Sequence, residues 1–158
     1  MSARQVAELQ ASIRKNLQTL ERQVRSLQTA LEKDIPLLGR TPNASLIVAG
    51  LLENYYTCLE TIFLRISQFF ENDLDPGHWH ADLLEKMTLQ IEGVRVPAIS
   101  SDNYGNLAEL LKFRHFRRYY FELEYDWDRL DFLVKKMQAA HPSVKKDLEG
   151  FLVFLDRL

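Results

Sequence analysis

Residues 3–33 read ARQVAELQASIRKNLQTLERQVRSLQTALEK, and in them Val6, Leu9, Ile13, Leu17, Leu20, Val24, Leu27 and Leu31 recur at spacings of three and four. That spacing keeps every apolar side chain on one stripe of a 3.6-residue turn, while Arg, Lys, Glu and Gln fill the other positions. The stretch is predicted as a long amphipathic helix, with Pro36 and Gly39 ending it, so that residues 1–40 form one element packed on the rest. The stripe has two uses open to it: packing on the next helix of its own bundle, or forming the seam of a dimer.

The same period continues downstream. Leu46, Val48, Leu51, Leu52, Tyr55, Leu59, Ile62, Phe63, Ile66 and Phe70 share a broad helical face, predicting a helix that starts near Thr41 or Asn43 and runs to Phe70. Residues Asp73–Gly77, carrying Pro76 and Gly77, break the pattern, and Leu83, Leu84, Met87 and Ile91 mark a short helix from Trp79 to Ile91. Residues 93–106 read as a loop in which Ser101 or Asp102 caps the next helix, Leu107 to about Tyr120. A helix over Trp127–Ala139 follows, and Pro142 is read as opening a last one through Val144, Leu148, Phe151, Leu152 and Leu155. With no strand-like alternation and no internal repeat, the expected fold is all-α: a single domain over residues 1–158, an up-and-down bundle of four or five main helices.

Composition agrees and narrows function. The chain has 158 residues, 46% hydrophobic and 27% charged, with only 6 Gly and 5 Pro, so few turns interrupt the helices. A formal charge of −2 gives no bulk attraction for nucleic acid or an anionic membrane. The single cysteine, Cys58, excludes a disulfide framework and fits the cytoplasm. No apolar run approaches the ~20 residues that span a bilayer, and residues 1–33 lack the apolar core of an export signal, so no membrane association is expected.

Against that neutral background Lys112, Arg114, His115, Arg117 and Arg118 fall within seven residues, interleaved with Phe113, Phe116, Tyr119 and Tyr120. At about 100° per residue, Arg114 and Arg118 lie about 40° apart and Arg117 about 60° to the other side, so three guanidinium groups share one face. Guanidinium binds phosphate bidentately and stays charged, which suits an RNA backbone or a transition state that gathers charge at phosphorus. His115 and Tyr119 stack at i and i+4 on a neighbouring face, and cationic neighbours favour the neutral imidazole that serves as a base. The competing reading pairs these cations with Glu122, Glu124, Asp126, Asp128 and Asp131 just downstream.

The run Leu110-Leu111-Lys112-Phe113-Arg114-His115-Phe116-Arg117-Arg118-Tyr119, followed by Glu124 and Asp126-Trp127, resembles the signature helix of the HepT-like branch of the HEPN superfamily. Trp79-His80, Leu83-Leu84, Met87, Arg95, Pro97 and Ser100 are similar to that branch too, and the resemblance spans about residues 42–158. It implies an all-α homodimer whose signature helices border a shared cleft, metal-independent endoribonuclease activity, and a toxin role beside a nucleotidyltransferase antitoxin. The family motif is Arg, a polar residue, three to five further residues and His, often with Tyr two positions later. Arg114 and His115 match its start, whereas the motif His falls on Tyr119 and the trailing Tyr on Phe121. A tyrosine, with an ordinary pKa near 10, is a poor base at neutral pH.

The resemblance therefore implies Arg114, His115 and Tyr119 as the catalytic set, with Lys112, Arg117 and Arg118 holding RNA phosphates. The alternative is a module that binds RNA, a nucleotide or a nucleotidyltransferase without turnover. His78 and His80 flank Trp79 with no third ligand at a recognisable spacing, so packing or capping is expected rather than zinc. His141 is expected to be exposed in a turn before Pro142; Trp127, Phe132, Phe151 and Phe154 are expected in the core; and Cys58 is expected to be buried and inert. Neither a metal nor a cofactor is expected.

Overall fold

The computed structural model describes residues 1–71 and 79–158, and its helices are α1 (Ala3–Thr29), α2 (Ile35–Leu38), α3 (Pro42–Phe70), α4 (Trp79–Met87), α5 (Tyr104–Tyr120) and α6 (Trp127–Leu155). No strand occurs among the described residues beyond an isolated antiparallel bridge between Ile91 and Arg95. The fold is an all-α bundle. The turn residues 73–77, with Pro76 and Gly77, and His78 of the expected His78/His80 pair lie outside the described residues.

Helix α1 starts at a capping box, Ser2 Oγ accepting from the Gln5 amide while the Gln5 side chain accepts from the Ser2 amide. Val6, Leu9, Ile13, Leu17, Leu20 and Leu27 are buried within this one chain, α1 packing mainly on α3 and also on α6. Pro36 does not end the helical run, contrary to expectation. The chain widens into a π-turn over Ala30–Asp34, where the Ile35 amide donates to the Ala30 carbonyl five residues back. This wider turn eases the clash a proline ring makes with the carbonyl four residues before it. The run stops at Gly39, whose φ of +81° suits glycine.

Helix α3 begins where Thr41 accepts from the Ala44 amide with Pro42 in the first turn, and it ends at Phe70 as expected. It contacts α1, α4, α5 and α6, and Val48, Leu52, Tyr55, Tyr56, Leu59, Ile62, Phe63 and Ile66 are buried on it, so it is the central helix.

Helix α4 stops at Met87 rather than Ile91. The buried Arg95 explains the stop: it donates to the carbonyls of Lys86, Leu89 and Val96 and to Glu71, taking carbonyls that another helical turn would use. Neither Ser101 nor Asp102 caps α5. A 3₁₀ turn, Ser101–Asn103, precedes it, and Asp147 of α6 accepts from the Ser100 amide, the Ser100 hydroxyl and the Asn103 side chain.

The two helices expected on either side of Pro142 are one, α6, which runs unbroken to Leu155. Pro142 is exposed, while Val134, Met137, Ala140, His141, Val144 and Leu148 form a continuous buried stripe past it. A proline inside a helix costs about 3 kcal/mol; burying even two or three aliphatic side chains, at about 1.5–3 kcal/mol each, outweighs that. His141, expected to be exposed in a turn, is buried: its Nδ1 lies 2.9 Å from the Tyr55 hydroxyl and its Nε2 2.7 Å from Glu21. Phe132 is another correction, exposed beneath Lys136 rather than in the core. Trp127 is partly buried under Arg40, Phe151 is fully buried and Phe154 packs at the edge. Cys58 is half-buried, and burial pushes its thiol up to about 11. No described helix is long and apolar enough to cross a membrane.

Candidate functional site

Helix α5 presents two chemically distinct faces. Leu107, Leu110 and Phe113 pack it into the core, and the helical repeat places Arg114, Arg117 and Arg118 beside them, facing α3. The basic run is paired as the competing reading held, but not with the downstream acids. Its arginines meet Glu53 and Glu60, the only two acids of α3, seven residues and so about two turns apart. Glu53 accepts from Arg117 Nε through one oxygen and from Arg118 Nε, at 2.9 Å, through the other. Glu60 accepts from Arg114 Nη2 at 2.9 Å. Of the expected downstream acids, Asp131 forms an ion pair, with Arg40.

Glu60 also gathers the one α4 residue that matters here. His80 Nδ1 lies 3.0 Å from both Glu60 oxygens and 3.0 Å from Arg114 Nη2. A carboxylate only accepts, so the network assigns the proton to Nδ1, which donates to Glu60; Arg114 then donates to the same carboxylate rather than to the ring. The Arg114 guanidinium stands 5.3 Å from the centre of the Tyr56 ring, a cation–π distance. Arg114 is 3% exposed and Tyr56 fully buried, yet Arg114 Nε and the Tyr56 hydroxyl have no hydrogen-bond partner among the described residues. Burial together with neighbouring Glu60 raises the Tyr56 phenol well above the ordinary tyrosine range. Unsatisfied buried donors beside a buried ion pair are costly, and such arrangements concentrate at functional sites.

The opposite face of α5 is open. His115 and Tyr119 are exposed and stacked, with ring centres 5.5 Å apart and planes at 23°. Lys112 is exposed beside them and approaches Glu109 at 3.7 Å. The expected site residues thus divide. Arg114, Arg117 and Arg118 come together against α3, whereas His115, Tyr119 and Lys112 line the outer face. Arg118 remains half-exposed, and Arg117 is three-quarters covered, lying over Tyr125.

The end of α5 is unusual as well. Tyr119, Tyr120, Phe121 and Leu123 are all exposed, and Phe121 closes the helix in the left-handed region at φ 52°, the sole non-glycine residue with positive φ among the described residues. Such a conformation in an aromatic residue costs about 1–2 kcal/mol. It turns the ring out over a surface groove lined by Leu46, Glu53, Arg118, Phe121, Leu123 and Tyr125.

Among the described residues, no three His, Cys, Asp or Glu side chains gather as metal ligands. Sequence reasoning missed Glu53, Glu60 and His80 as partners of the arginines. The two acids were a readable signal, isolated in an otherwise apolar helix at two-turn spacing. His80 was visible only as part of the Trp79-His80 resemblance, and its place at Glu60 depends on how α4 docks.

A bundle of helices whose arginine-bearing α5 packs on a central helix is consistent with an all-α HEPN-like domain. The chain belongs to the HepT-like family, whose model, described as HepT-like protein, matches residues 47–155, from the first turns of α3 to the end of α6. No curated protein and no solved structure matches the chain. Helices α1 and α2 precede the matched residues.

Proposed function

We propose that the protein is the toxin of a toxin–antitoxin pair, a metal-independent endoribonuclease acting as a homodimer with two α5 helices bordering one RNA cleft. The observation that carries this reading is the Glu60 carboxylate held between Arg114 and the His80 imidazole. In metal-free RNA cleavage a base takes the 2′-hydroxyl proton, an acid protonates the leaving oxygen, and a cation stabilises the charge gathering at phosphorus. His80, its ring 42% exposed and oriented by a buried carboxylate, supplies an imidazole beside the motif arginine where Tyr119 replaces the motif histidine. His115, on the outer face of α5 itself, is the second imidazole of this reading, and Arg118 and Lys112 hold phosphate at the rim. The exposed aromatic end of α5 supports a subunit or antitoxin contact there, since an apolar cluster of this kind marks interaction surfaces.

Purified protein incubated with mixed RNA and EDTA tests the reading. The expected result is cleavage, lowered about 10²–10⁴-fold in His80→Ala or His115→Ala, whichever imidazole transfers the proton. Lack of cleavage across varied RNAs, in protein shown to be folded, overturns it.

A specific observation favours the second reading, a module that binds RNA, a nucleotide or a nucleotidyltransferase without turnover: Glu53 and Glu60 neutralise the guanidinium charge that catalysis would use. Binding without cleavage, lost on Arg118→Glu, distinguishes it.

A further inference from the structure

Four of the cations that meet no acid among the described residues lie together on one helix. Arg14, Lys15, Arg22 and Arg25 are exposed on α1, and none of them forms an ion pair among the described residues. The helical repeat gathers all four, with Gln18 between them, into a strip about 100° wide that runs about 16 Å along the axis. Glu21, four residues before Arg25, is turned away into α6, where it accepts from His141 at 2.7 Å and approaches Lys145 at 3.6 Å, and Asp34, which lines a surface groove with Arg22 and Arg25, forms no ion pair with either. Elsewhere α1 and its π-turn use such spacings for local partners, as Arg4 with Glu8 and Gln28 with Glu32. Arg22 and Arg25, by contrast, stand three residues apart as like charges, an arrangement that destabilises a helix unless an anion relieves it.

We infer that this ridge is a second phosphate-binding surface, built to hold RNA backbone outside the family-matched residues. Its chemistry selects the occupant. Large apolar residues are absent from its exposed positions, so a contact there is made through charge and hydrogen bonds rather than through apolar burial. The apolar stripe of α1 is buried against α3 and α6, so the helix has no face to lay into a membrane. What remains is a line of cations interspersed with neutral donors, complementary to a polyanion of repeating charge. That the polyanion is RNA rests on the ribonuclease reading; the electrostatic fit does not.

The test measures binding of the full chain to a fluorescent single-stranded RNA between 50 and 200 mM salt in EDTA, alongside a variant carrying Arg14→Gln, Lys15→Gln, Arg22→Gln and Arg25→Gln. Glutamine matches arginine and lysine in helix propensity, and an Arg22→Gln/Arg25→Gln variant serves if the fourfold one melts early. Each phosphate contact adds about 0.7 to the slope of log affinity against log salt. Over this fourfold salt range the wild type should therefore lose affinity about fifty-fold more steeply than the fourfold variant, or about sevenfold more than the double variant. An unchanged salt slope in the variants overturns the proposal, as does tighter binding of polyglutamate than of RNA. RNA that is bound through the ridge but never cut removes the ribonuclease reading and leaves the ridge standing.

Discussion

Arg114 and Glu60 form an ion pair at 2.9 Å with both side chains less than a tenth exposed. Removing two charges from water costs several kcal/mol each, so such a pair holds only while both members are present. Glu60→Ala strands a buried guanidinium and is expected to cost about 3–5 kcal/mol. In a chain of this size that lowers the melting temperature by about 10 °C. Glu60→Leu combined with Arg114→Met fills the same space without charge and should melt well above the single variant. Calorimetry of the three proteins decides the matter, and a Glu60→Ala melt equal to wild type excludes an energetic role for the pair.

Local chemistry explains what could be read in advance. The bounds of α3 were legible because Thr41-Pro42 is a start signal and the apolar face runs unbroken to Phe70. Pro36 and Pro142 misled for different reasons: a π-turn accommodates the first locally, whereas a continuous buried stripe, which is tertiary, carries α6 past the second. His141 was misplaced with Pro142, since a continuous α6 carries it inward to Tyr55 and Glu21. The basic run of α5 was plain in the sequence, but its face was not. Which side of an amphipathic helix meets Glu53 and Glu60 depends on the packing of α5 on α3, and His80 joins them only through the docking of α4.

The Glu21–His141 contact gives stability a pH dependence. Burial pushes the Glu21 carboxyl up, but hydrogen bonding and attraction from His141, with help from Lys145, outweigh it and leave the carboxyl below the ordinary range. A carboxyl depressed in the folded state contributes stability that is full above its unfolded pKa, and this is lost as pH falls through the folded value. Melting temperature should therefore decline as pH is lowered through and below 4.5, the ordinary value for this group. Glu21→Gln should flatten that decline while leaving the other carboxylates to set the remainder. Parallel melts from pH 6 to pH 3 measure it, and identical profiles would remove Glu21 from the account.

Cys58 should be a slow nucleophile in the folded protein. Its thiol is raised to about 11 by burial and donates to the Asn16 carbonyl at 3.6 Å. The thiolate is the reactive form, so two pH units of displacement lower its population at neutral pH about a hundred-fold. Labelling with a thiol reagent at pH 7.5 should be slow in buffer and fast in denaturant; equal rates in the two would contradict a protected thiol.

Phe121 is held at φ 52° with its ring exposed, so its backbone strain is not repaid by burial within this chain. Glycine occupies that helix-ending conformation without penalty. Phe121→Gly is therefore expected to stabilise the isolated protein by about 1 kcal/mol, raising its melting temperature by about 2–4 °C. If the aromatic end of α5 meets a second subunit or an antitoxin, the same substitution removes an anchor from that contact, so stability and association should move in opposite directions. Melting curves and sedimentation equilibrium on the wild type and Phe121→Gly read the two effects separately. A variant that melts below the wild type shows that the ring packs usefully within the chain, and one that gains stability with unchanged association shows that the strained conformation serves no contact.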